Sequence, residues 1–153
     1  MQEGLRQTTP YQSSKTSTVD ETLNQLFDDR RPSDLLQRGV SRVSNIYAYL
    51  SLDENIYDIT NGETITLEQL RGRSQQAILR LEVDEAECYI SDLDLFDQIK
   101  AAYTDGVEVE GLIDAYWRSL VNLNEFEPGA IDRPEAMIVS DVPPSHITII
   151  QRE

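Results

Sequence analysis

Seven apolar residues, Val109, Leu112, Ile113, Tyr116, Trp117, Leu120 and Val121, follow one another at steps of three and one. That spacing lines one face of a helix with 3.6 residues per turn and predicts an amphipathic helix over 107–123. Such a face must be buried against other elements, and this one carries the only tryptophan of the chain. The core is therefore expected around Trp117. Leu, Ile, Val and Phe supply 41 of the 153 residues. That share exceeds the roughly 20% below which a highly charged chain stays disordered, so one modest core and one domain are expected.

Other segments offer helical faces to cover it. Thr18-Val19-Asp20-Glu21 fits a capping box, followed by Val19, Leu23, Leu26 and Phe27 on one stripe. Arg30-Arg31-Pro32-Ser33 interrupts that helix. Leu35, Leu36, Val40, Val43, Ile46, Tyr47 and Leu50 then predict a second, longer helix with Gly39 as its weak point. Thr66-Leu67-Glu68-Gln69 is another capping box, and the pattern favours helix over 67–80. Leu79, Leu81 and Val83 also alternate with charged residues as in a half-buried strand, which leaves 81–90 open. Ser91 or Asp92 caps a helix carrying Leu95, Phe96, Ile99, Ala102 and Tyr103, which ends near Asp105-Gly106.

β signals are sparse. Ile56–Ile59 and Thr64–Thr66 flank Asn61-Gly62, a hairpin signature. Met137–Val139 and Ile147–Ile150 are short β-type runs within a segment cut by Pro128, Pro134, Pro143 and Pro144. The expected fold is thus mainly α with a small β component (α+β): a short-helix bundle with a β-hairpin and extended arms at both ends. Residues 1–18 form the N-terminal arm, 19–127 the helical body with its hairpin near 56–66, and 128–153 a Pro-containing C-terminal tail with a short strand. The first arm is rich in Ser, Thr and Gln and buries too little surface to order by itself.

Charge narrows the function. Residues 1–45 balance six acids with six bases, so the net charge of −15 belongs to 46–153. Between Glu82 and Asp97 there are seven acids and no base. A nucleic-acid binder needs the opposite field, so direct nucleic-acid binding is not expected. The acidic run serves either solubility or contact with a basic partner, with Glu85, Glu87 and Asp92 as the candidate contacts. No apolar run is long enough to cross a membrane, and the first residues lack the apolar core of a signal peptide. An intracellular setting, or the interior of an assembled particle, is expected.

Catalytic chemistry has little to stand on. His146 is the only histidine and Cys88 the only cysteine. Neither a metal site nor a disulfide can be assembled from that pair. Acids around Cys88 disfavour a thiolate, and no phosphate-binding glycine loop is present. No cofactor is expected. These observations point to a non-enzymatic structural or adaptor subunit of a larger assembly, a virus or phage particle being the first example. Its partners would be other protein chains, in a homo- or hetero-oligomer. The strand at Ile147, Ile149 and Ile150 is the candidate for pairing with a neighbour's edge. The alternative is an acidic inhibitor that mimics nucleic acid and blocks a basic protein.

Overall fold

The computed structural model describes residues 18–73 and 76–151. Apart from Thr18, the expected N-terminal arm lies outside the described residues. Five α-helices are present among them: α1 (Thr18–Asp29), α2 (Ser33–Gln37), α3 (Leu67–Arg73), α4 (Leu93–Thr104) and α5 (Glu110–Ser119). The strands are β1 (Ile46–Ala48), β2 (Ser51–Leu52), β3 (Asn55–Tyr57), β4 (Thr64–Ile65), β5 (Ile78–Leu81), β6 (Cys88–Asp92), β7 (Val121–Asn122), β8 (Pro134–Ile138) and β9 (Ile147–Gln151). They form a four-stranded sheet ordered β1-β8-β6-β7, a three-stranded sheet ordered β2-β3-β4, and a ribbon of β5 and β9. Every pairing is antiparallel.

The fold is therefore α+β, and the expectation of a mainly α bundle is overturned. The four-stranded sheet is its centre. Tyr47, Met137 and Tyr89 stand in register across β1, β8 and β6. They pack into a core with Phe27, Phe96, Ile113, Tyr116 and Trp117 from α1, α4 and α5. The alternate residues Ile46, Ala48, Ala136, Ile138, Cys88 and Ile90 join a second core with Leu50, Ile131 and Val142. A sheet buried on both faces has no polar alternation along its strands. Neither Cys88–Ile90 nor Met137–Val139 therefore carries the alternation that marks a half-buried strand.

Three other expectations are corrected. The expected second helix stops after five residues at Gln37. Gly39 takes φ +82, and its N–H and that of Val40 reach back to Leu36 and Leu35, closing the helix end. The chain then turns over Asp28, whose carboxylate accepts from Ser41 Oγ and the Arg42 amide, and Ile46 begins a strand. Leu36 and Val43, assigned to the buried face of that helix, are 55% and 47% exposed. The helix over 67–80 ends at Arg73, and Ile78–Leu81 is a strand. Finally, residues 128–151 are not an extended arm. β8 lies between β1 and β6, and β9 pairs with β5.

The local signals fare better. The Thr66 amide donates to Gln69 Oε1 (2.9 Å) and the Gln69 amide to Thr66 Oγ1 (3.1 Å), the reciprocal pair of a capping box. Asp92 Oδ1 accepts from the Leu95 amide at the start of α4, and Gly106 at φ +79 ends that helix. The amphipathic helix over 107–123 exists as α5 over Glu110–Ser119, with Trp117 Nε1 donating to the Phe27 carbonyl (2.8 Å). The hairpin near 56–66 pairs Ile56 with Ile65 and Tyr57 with Thr64, and β2 adds a third strand.

Candidate interaction surfaces

The ribbon of β5 and β9 begins where the 3-10 turn Pro144–His146 delivers the chain into β9. At its base the Glu82 amide donates to the His146 carbonyl. Leu81 then faces Ile147, Arg80 faces Thr148 and Leu79 faces Ile149. Next, Ile78 faces Gln151, so Ile150 is the extra residue of a bulge on β9. Leu79, Leu81, Ile147 and Ile149 share one face by strand alternation. At the base of that face Leu81 and Ile147 pack onto the second core. At its far end Leu79 is 42% exposed. No other strand among the described residues pairs with either edge.

Ile147, Ile149 and Ile150 are thus brought together, but their first partner is β5 of the same chain. The signal for that partner was the alternation of Leu79 and Leu81 with Arg80 and Glu82. The helical stripe through Ala77, Ile78 and Leu81 competes with it in the sequence. Leu79 itself is the surface residue that sequence reasoning passed over.

The acidic run is divided by the fold. Glu85 and Glu87 lie on an exposed 3-10 turn, Glu85–Glu87, that precedes β6, and Glu82 and Asp84 flank it. Asp92 is half-buried as the cap of α4. Asp94 and Asp97 both receive Arg133 Nη1, at 2.9 and 2.7 Å. Three of the seven acids therefore serve internal contacts. Glu87 also lines an open groove of about 690 Å³ beside α2 and the end of α5. Arg38 and Arg118 line the same groove with Asp34 and Glu125. Its charges are mixed, so it does not extend the acidic field. Arg38 Nη1 is hydrogen-bonded to the Tyr89 hydroxyl on the groove wall (3.2 Å).

A buried polar cluster lies inside the helical core. Arg42 is 6% exposed. Its guanidinium carbon sits 4.1 Å from the centroid of the Phe96 ring and 4.7 Å from that of Tyr47. Nη1 donates to the Tyr116 hydroxyl (2.9 Å) and reaches Glu135 (3.4 Å), while the Tyr47 hydroxyl returns to the Arg42 carbonyl. Burial raises the Glu135 pKa, and the Arg42 charge opposes that rise. The cation is enclosed by rings and paired, which ties the 38–45 loop to β8 and α5 and offers nothing to solvent.

The lone cysteine and the lone histidine are far from a reactive setting of the usual kind. Cys88 is buried in β6, and burial pushes its thiol up to about 11. His146 is exposed on its 3-10 turn. Among the described residues no group of three or more His, Cys, Asp or Glu side chains converges as a metal site. No helix among them is long and apolar enough to cross a membrane. Compared with known proteins, the chain matches no family model, no curated protein and no solved structure.

Proposed function

We propose that this chain is a non-enzymatic structural or adaptor subunit of a larger protein assembly, of the kind found in virus or phage particles. The observation that supports this is the β5–β9 ribbon, a two-stranded sheet with neither outer edge paired to another strand among the described residues and its far apolar face half exposed. An isolated ribbon of two strands is marginal in water, and an open edge is a template for another chain. Both features are relieved when a neighbour's strand or apolar surface covers the ribbon. The acidic turn at Glu85 and Glu87 is compatible with a basic patch on a different neighbour in the assembly.

Native mass spectrometry of the chain purified from its own source tests the proposal. Recovery in fixed integer ratios with copies of itself or with other structural chains is the expected result. Salt-sensitive one-to-one binding to a nucleic-acid-handling protein, in competition with its nucleic acid, would instead establish the acidic inhibitor. Recovery as a free monomer with a substrate-converting activity would end both readings.

A further inference from the structure

We propose that β5 pairs with β5 of a second copy of this chain, antiparallel about a two-fold axis at Leu79. The inference rests on the assembly reading above and names one partner within it. Three observations select this edge and this partner.

First, the bulge belongs to β9. Ile150 has no opposite residue, whereas Ile78, Leu79, Arg80 and Leu81 each have one. A bulge distorts the strand that carries it and blunts its outer edge. The regular outer edge of the ribbon is therefore that of β5. Its side chains are also the more exposed, with Leu79 and Arg80 open and Ile149 and Ile150 half-buried.

Second, the ribbon is free of acids. Residues 78–81 and 147–151 contain no Asp or Glu and one cation, Arg80. In a chain of net charge −15, two copies repel wherever acidic surfaces meet. An acid-free strand edge is a place where they can come within hydrogen-bonding distance.

Third, charge rules out centring on Arg80, and Leu79 is the exposed apolar residue of β5, with Ile78 and Leu81 half-buried. Antiparallel self-pairing about a two-fold axis must centre on a residue if like faces are to match. Centring on Arg80 would set two guanidinium groups directly opposite, which is destabilising. Centring on Leu79 sets Leu79 against its copy, Ile78 against Arg80, and Leu81 against Ala77. One face then carries an unbroken row of Ile149, Leu79, and their two counterparts, because Leu79 already faces Ile149 within each ribbon. The half-exposed Leu79 side chain becomes the middle of a four-stranded sheet.

Cross-linking of the full chain tests the register. Directly opposed antiparallel residues have Cα atoms about 4.5–5.5 Å apart, within the span of a disulfide. Leu79→Cys is expected to give a disulfide-linked dimer under mild oxidation, reversed by dithiothreitol. Arg80→Cys, whose counterpart lies two positions away and on the other face, is expected to cross-link at least about tenfold less. Cys88 is buried and should leave the wild type uncrosslinked. Light scattering of the wild type supplies the second measurement. Salt screens repulsion between two acidic copies, so dimer mass should rise with ionic strength, whereas docking to a basic partner weakens with salt. Leu79→Glu, at an exposed position, should keep its circular dichroism and remain monomeric. A wild type that stays monomeric at every salt concentration, or equal cross-linking at positions 79 and 80, would overturn the self-pairing. If Leu79→Glu still enters the native assembly in the same ratio, the self-pairing fails while the subunit reading stands.

Discussion

The central four-stranded sheet and the three-stranded β2-β3-β4 sheet hold together by different physics. In the central sheet Met137 is fully buried and Ile138 almost so, on opposite faces of β8, and both neighbours of β8 are strands. Its buried ion pair, Arg42 with Glu135 of β8, is itself enclosed by aromatic rings of that core. The smaller sheet has few buried apolar residues, Ile56 among them, and is held by polar pins. Arg133 donates through Nε and Nη2 to the Ile59 carbonyl. Arg73 Nη2 reaches Asp58 (2.8 Å), and Gly62 lies against the Asp132 backbone. Burial is non-directional and tolerant of small shifts, while pins fail when one atom moves. The two sheets should therefore respond differently to mutation and to pH.

The largest effect is expected where burial dominates. Trp117 is 2% exposed, contacts Phe27 and Tyr116 edge-on, and has its indole N–H satisfied by the Phe27 carbonyl. Trp117→Ala should cost about 3–5 kcal/mol in urea denaturation. Ile138→Ala, in the opposite core, should cost about 2–5 kcal/mol by the same mechanism. A loss under about 1 kcal/mol at either site would mean that this sheet is not the stabilising centre.

The same contrast explains what the sequence could reveal. Signals that act within one turn were legible: the Thr66–Gln69 box, the Asp92 cap and the Gly106 stop all sit where the residues imply. The sheet centre was not, because its pairing is non-local. Ile46 meets Ile138, and Cys88 meets the same residue from the other side. Ile46, Tyr47 and Leu50 fit a helical stripe equally well, and only the break at Gly39 argues otherwise. Ile147, Ile149 and Ile150 were recognisable as a strand seeking an edge. That the edge would be Leu79–Leu81 depended on a pairing between segments far apart in sequence, which periodicity does not encode. The division of the acidic run was hidden for the same reason, since Arg133 reaches Asp94 and Asp97 across the fold.

A smaller effect should single out the pinned sheet. Gly62 has φ +77, and a Cβ there would sit 1.8 Å from the Asp132 carbonyl oxygen. Any side chain must therefore displace the backbone on which the loop rests. Gly62→Ala should cost about 1–3 kcal/mol. Hydrogen exchange should show the loss confined to amides of residues 55–65, with β6 and β8 protected as before. Uniform loss of protection across both sheets would show that they unfold as one unit, and the contrast would dissolve.

The smallest effect is a pH dependence centred on Asp58 in the pinned sheet. The Asp58 carboxyl is held below its ordinary value, first by the Thr60 amide and then by Arg73. Folding therefore favours the ionised form. The stabilisation is fully present above the ordinary carboxylate range, near pH ~4, and is lost as the pH falls through the lower, folded value. Asp58→Asn keeps an acceptor for the Thr60 amide and gives up the ion pair. Because the Arg73 side chain is 50% exposed, solvent screens that pair, and the cost near neutral pH should be about 1 kcal/mol or less. The informative quantity is the difference between wild type and variant as the solution is acidified. It should shrink toward zero below about pH 4, because the protonated Asp58 carboxyl and the amide that replaces it are then nearly equivalent. A difference independent of pH would mean that Asp58 acts by shape alone and that its ion pair with Arg73 contributes nothing to the three-stranded sheet.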